Sequence, residues 1–140
     1  MSSAIGTSSA SATEAAHKPV ARIFVVDDEE MVGLVVQDVL ELQGYDSVLF
    51  QDPEAALQAF VAADPKPCLL LTDFVMKPFN GMELIERCRQ HDPTVKTILY
   101  SGTMVEDIFS RHTSRPDYYL SKPFLPRTLM NAVQKVLGKL

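Results

Sequence analysis

Leu69-Leu70-Leu71-Thr72-Asp73 is the stretch on which the reading of this chain turns. Three leucines run into a single acid, with Pro78 and Gly81 shortly after. A wholly apolar run that ends at a turn reads as a strand buried on both faces of a parallel sheet. Residues 74–80 carry no helical repeat and read as a loop, so Asp73 falls at the carboxyl end of a central strand. In open α/β sheets, ligands bind outside the carboxyl ends of the strands.

The flanking sequence builds outward from that strand. Arg22 to Val26 reads as a first strand that runs into Asp27-Asp28-Glu29-Glu30. Met31, Leu34, Val35, Val39 and Leu42 follow helical spacing, and Gly44 stops that helix. Tyr45 to Phe50 reads as a second strand. Asp52-Pro53 caps the next helix, whose inner face is Ala56, Leu57, Phe60 and Val61. Beyond the Asp73 loop, Met82, Leu84, Ile85 and Cys88 mark a third helix, and Val95 to Tyr100 a fourth strand ending in Ser101-Gly102. Val105, Ile108 and Phe109 mark a short fourth helix. Tyr118 to Leu120 is a fifth strand, closed by Ser121-Lys122-Pro123-Phe124. Pro126 opens a last helix with Leu129, Val133, Val136, Leu137 and Leu140 inward.

Five strand–helix alternations with short connections predict an α/β, doubly wound, five-stranded parallel sheet. It is flavodoxin-like, with strand order 2-1-3-4-5 and five helices. Residues 1–19, rich in Ser and Ala with no apolar period, read as a disordered tail, and 20–140 as one domain.

Composition excludes several function classes. A net charge of −5 argues against direct contact with nucleic acid, which needs a basic patch. No stretch approaches the roughly 18 apolar residues of a membrane span, and no basic-then-apolar leader opens the chain. Cys68 and Cys88 lack metal-ligand spacing and read as reduced thiols. The expectation is a cytoplasmic protein without membrane insertion. His17, His91 and His112 share no spacing that suggests a ligand set or triad.

The predicted strand ends collect a constellation. Asp27 and Asp28 follow the first strand, Asp73 the third, Ser101 the fourth and Lys122 the fifth, all on one sheet edge. Three nearby carboxylates repel one another without a cation, and a hard divalent ion, Mg²⁺ above all, suits oxygen ligands. With the metal present, Asp73 can act as a nucleophile toward phosphorus and form an aspartyl phosphate. Lys122 would neutralise charge on the transferring group, and Ser101 would donate to the phosphoryl oxygens. Singly, each residue has a plainer role. The acids suit a helix start, Asp73 and Ser101 could be caps, Lys122 a surface cation and Tyr119 core packing.

With these residues in order, the chain resembles the receiver domain of two-component response regulators, in the manner of chemotaxis-regulator-like single receivers. The matching residues are Asp27-Asp28, Asp73 after LLLT, Met76, Gly81, Ser101-Gly102 and Lys122-Pro123-Phe124. The resemblance implies Mg²⁺ held by Asp27, Asp28, Asp73 and the backbone carbonyl of Val75. It implies phosphoryl transfer to Asp73 from a sensor histidine kinase or histidine phosphotransfer protein, within a two-component or phosphorelay system. It also implies a cis bond before Pro123 and a switch coupling Ser101 to Tyr119. That switch would alter the face of the fourth helix, fifth strand and fifth helix, for a downstream protein target or a self-dimer. Such a chain is a phosphoacceptor that assists its own phosphorylation and dephosphorylation, not a turnover enzyme.

Two departures stand out. Met76-Lys77-Pro78 displaces by one the proline that commonly follows Met in the family. Val75 and Thr103 occupy two positions that influence phosphoryl hydrolysis in the family. Val75 cannot hold a water by its side chain, which predicts slow self-dephosphorylation. An aspartate-dependent phosphatase would want an acid at Val75, and a nucleotide-binding enzyme a glycine-rich turn after the first strand. The remaining alternative is a receiver-like interaction scaffold not regulated by phosphorylation. No DNA-binding or catalytic domain follows, so the readout is expected to be a protein contact, unless this is a piece of a larger regulator or hybrid kinase.

Overall fold

The computed structural model describes residues 22–138; the expected tail and Leu140 lie outside the described residues. Five strands alternate with five helices. They are β1 (Arg22–Val26), α1 (Glu30–Leu42), β2 (Asp46–Phe50), α2 (Pro53–Ala62), β3 (Leu69–Asp73), α3 (Gly81–His91), β4 (Lys96–Ser101), α4 (Val105–Phe109), β5 (Tyr118–Ser121) and α5 (Pro126–Leu137). All pairings are parallel and the order is β2-β1-β3-β4-β5. Every residue of β3 is buried, which its unbroken leucine run dictates for a central strand covered on both faces.

Two apolar cores sandwich the sheet. One joins Ile23, Val25, Leu69, Leu71 and Ile98 to α1 and α5; the other joins Phe24, Leu70 and Leu99 to α2, α3 and α4. The alternation along each strand divides the side chains between them.

Helix α1 corrects the sequence reading. Met31, Leu34, Val35 and Leu42 keep helical spacing but are exposed, Met31 at 75% and Leu42 at 80%. The buried stripe is Gly33, Val36, Val39 and Leu40. A Cβ on Gly33 would stand 2.5 Å from Leu49 Cδ1, so glycine lets this face lie against β2. In α2, Ala56 and Phe60 are buried as expected, but Val61 is 44% exposed.

The ends of the elements agree with their chemistry. Asp52 caps α2, its Oδ1 accepting the Glu54 N–H at 3.1 Å, with Pro53 in the first turn. Asn80 and Glu83 form a reciprocal capping box at the start of α3. The Lys122–Pro123, Asp64–Pro65 and Lys77–Pro78 peptides are cis.

Candidate functional site

The parallel sheet brings the expected residues to one edge. Asp28, Glu29, Asp73, Val75, Ser101 and Lys122 line an open pocket of about 300 Å³. Asp27 stands behind them, fully buried at the end of β1. Its backbone N–H donates to Phe50 O at 2.9 Å, which sets how the chain leaves the sheet. Asp73 ends β3, only 5% exposed.

Each functional group is held. Asp73 Oδ1 accepts the Phe74 N–H at 2.9 Å and lies 3.4 Å from Lys122 Nζ. Lys122 Nζ also approaches Glu29 Oε1 at 3.9 Å. Asp27 Oδ1 accepts the Glu29 N–H, and its Oδ2 accepts the Tyr100 hydroxyl, both at 2.8 Å. The buried Ser101 accepts the Thr103 N–H on its Oγ at 2.9 Å. The Tyr119 hydroxyl reaches the carbonyls of Ser101 at 3.1 Å and Thr103 at 2.9 Å, so it shares its proton between them.

Burial makes this edge electrostatically tense. Desolvation, reinforced by Asp27, pushes the Asp73 carboxyl up to about 6, although Lys122 and the Phe74 N–H pull the other way. Desolvation also raises Asp27, against the hydrogen bonds from Glu29 and Tyr100. Carboxylate oxygens of Asp27, Asp28 and Asp73 lie within 4.8 Å of one another. An all-oxygen set with buried negative charge suits a hard divalent cation, which would relieve both the repulsion and the desolvation. Val75 is 60% exposed at the pocket and offers no polar side chain there.

Gly81 explains its own place in the motif. Its N–H donates to Phe74 O at 2.8 Å, and a Cβ would overlap the main-chain carbonyl of Asp73. Glycine at this point allows α3 to begin directly against the end of β3.

Sequence reasoning missed Tyr100. It is fully buried on β4, with its Cα paired to Asp73. Its ring meets Phe124 edge-on at 5.6 Å, and Lys122 Nζ lies 5.3 Å from its centroid. The available signal was a phenol inside an apolar strand, because a buried tyrosine hydroxyl needs a partner.

Comparison with known proteins agrees with this architecture. Residues 23–134 match the family model of the response regulator receiver domain. The alkaline phosphatase synthesis transcriptional regulatory protein PhoP of Bacillus subtilis is 31% identical over 119 residues, covering 84% of this chain and 49% of that protein. The transcriptional regulatory protein RprY of Bacteroides fragilis is 28% identical, covering 84% of this chain and 50% of that protein. The chain thus spans about half the length of the curated relatives it matches. Among solved structures, a CheY-like receiver domain protein from Methanospirillum hungatei has a TM-score of 0.76 at 26% identity, covering 85% of this chain and 94% of that one. The response regulator TrrA of Thermotoga maritima, solved in complex with Mg(2+)-BeF, has a TM-score of 0.74 at 28% identity, covering 84% of this chain and all of that one.

Proposed function

The chain belongs to the response regulator receiver family, and we propose that it is a Mg²⁺-dependent phosphoacceptor switch whose acceptor is Asp73. The observation that carries this reading is the buried Asp73 carboxylate, held against Lys122 and within reach of two further acids at the mouth of an open pocket.

In this reading Asp27, Asp28, Asp73 and the Val75 carbonyl would hold Mg²⁺, which when bound would supply charge neutralisation for the transferring phosphoryl group. A carboxylate oxygen of Asp73 attacks phosphorus as the P–N bond of a partner's phosphohistidine breaks. The imidazole departs, and an acyl phosphate forms. Lys122, already at Asp73, pairs with a phosphoryl oxygen, and the Ser101 hydroxyl donates to another. The protein acts as a stoichiometric acceptor that assists its own phosphorylation and dephosphorylation.

The partner is a sensor histidine kinase or histidine phosphotransfer protein. Exposed Met31 and Val35 on α1 line a groove with Glu29, Lys122 and Phe124 beside the site and suit contact with an apolar helix face. On the output side, turning Ser101 toward the phosphoryl group breaks its bond from the Thr103 N–H. The Thr103 carbonyl is one of the two that hold Tyr119, so the local change reaches the α4–β5–α5 face. That face then engages a downstream protein or a second copy of this chain.

The test is incubation with Mg²⁺ and acetyl phosphate followed by intact mass, with Asp73→Asn alongside. Gain of one phosphoryl group in the parent, absent without Mg²⁺ and in the variant, is the expected result. No gain in a folded parent would instead favour an unphosphorylated interaction scaffold.

A further inference from the structure

Tyr100 links groups that come from three strands. Its backbone carbonyl accepts the Phe74 N–H at 3.0 Å, immediately after the acceptor aspartate. Its hydroxyl donates to Asp27 beyond β1, and its ring lies beneath the Lys122 ammonium beyond β5. A phenylalanine would fill this core position without a polar tip to satisfy. The hydroxyl therefore invites a role beyond packing.

We propose that Tyr100 is a positioning residue for the cation site: its hydroxyl locks the Asp27 carboxylate in the orientation that completes the acidic cluster. This rests on the phosphoacceptor reading above. With Oδ1 held by the Glu29 N–H and Oδ2 by Tyr100, the carboxylate cannot rotate. Each oxygen keeps a second lone pair for the cation or its water. A phenol is suited to this task because it is neutral. It orients the acid without cancelling the negative charge that attracts the cation, as an Arg or Lys in the same place would. Outer hydrogen bonds of this kind fix ligand direction at metal sites, and losing one commonly weakens metal affinity 10- to 100-fold.

The choice of ion separates positioning from general support of the fold. Mg²⁺ demands near-ideal octahedral geometry, whereas Ca²⁺ accepts variable oxygen arrangements. A carboxylate freed to rotate therefore harms Mg²⁺ binding more than Ca²⁺ binding. The experiment is calorimetric titration of the unphosphorylated protein with Mg²⁺ and with Ca²⁺ at mildly alkaline pH. It compares the parent with Tyr100→Phe, which keeps the ring against Phe124 and Lys122. Tyr100→Met, which fills the space with a flexible apolar chain, is the second variant should the first fold poorly.

The expected result is Mg²⁺ affinity lowered about tenfold in the variant, with Ca²⁺ affinity lowered distinctly less. Unchanged Mg²⁺ affinity overturns the proposal. Equal losses for both ions also overturn it and leave Tyr100 a structural role only. A parent that binds no Mg²⁺ is a different failure, since it removes the Mg²⁺-dependent reading on which the proposal stands.

Discussion

Gly81 opens α3 so close to Asp73 that a Cβ on it would overlap the main-chain carbonyl oxygen of that aspartate. Leu99 Cδ1 would stand 2.8 Å away and can shift, but the Asp73 main chain cannot. Gly81→Ala is expected to destabilise the protein by about 1–3 kcal/mol, the usual cost of forcing a methyl into a filled core. Because the displaced atom belongs to Asp73, acceptor activity should fall as well. Urea denaturation and acetyl phosphate labelling measure the two effects. A variant of parental stability would show that the backbone here yields freely.

The pH response of the metal-free protein follows from Asp73. Its carboxyl sits at about 6 in the fold, against about 4 in an unfolded chain. A raised carboxyl stabilises the fold fully below the unfolded value, and that contribution is lost as pH rises through about 6. Asp27, also raised, acts in the same direction. Thermal melts in a chelator are expected to show Asp73→Asn more stable than the parent at neutral pH, with the gap closing toward about pH 4. Parallel curves for the two proteins would contradict this.

Lys122 pulls the Asp73 carboxyl down from 3.4 Å away. Lys122→Met keeps an apolar stem over Tyr100 and removes the charge. The Asp73 titration, followed by carboxyl carbon resonance, should then move above its parental value of about 6. Phosphoryl gain from acetyl phosphate should fall by at least an order of magnitude, the scale of losing a positioned charge. Parental labelling would remove Lys122 from the proposed chemistry.

Tyr119→Phe deletes the hydroxyl shared between the Ser101 and Thr103 carbonyls. The expected cost is about 1 kcal/mol, the net worth of one such hydrogen bond. Amide exchange should quicken in the segment between β4 and α4 while β3 keeps its protection. Unaltered exchange there would break the proposed path from Ser101 to the α4–β5–α5 face.

The side chain of Val75, at the pocket mouth, carries only apolar atoms. The phosphorylated parent is expected to persist for minutes rather than seconds without a phosphatase. Val75→Asn, at an exposed position where substitutions cost little stability, should shorten that lifetime by giving a water a hydrogen-bonding partner. Equal decay of the two phospho-forms would mean that hydrolysis is governed elsewhere.

Much of this protein is legible in the sequence because the signals involved are local. The leucine run of β3, the acids after β1 and the Ser and Lys that close β4 and β5 announce themselves by period and by what ends each run. The short crossovers then force those ends onto one edge. Helix α1 marks the limit of that logic. Met31, Leu34, Val35 and Leu42 obey helical spacing as well as Val36, Val39 and Leu40 do, and period alone cannot say which stripe faces in. Packing decides it: Val36, Val39 and Leu40 enter the core, with Gly33 facing Leu49 of β2. Tyr100 lies further still from what a sequence shows. Its hydroxyl meets Asp27 across 73 residues of chain, a distance over which no spacing rule operates. Local sequence was enough for the elements, their order and the polar residues at their ends. The tertiary structure alone decided the phase of α1, the burial that lifts Asp73 and the partner of Tyr100. Each of these depends on atoms brought together by packing rather than by neighbourhood along the chain.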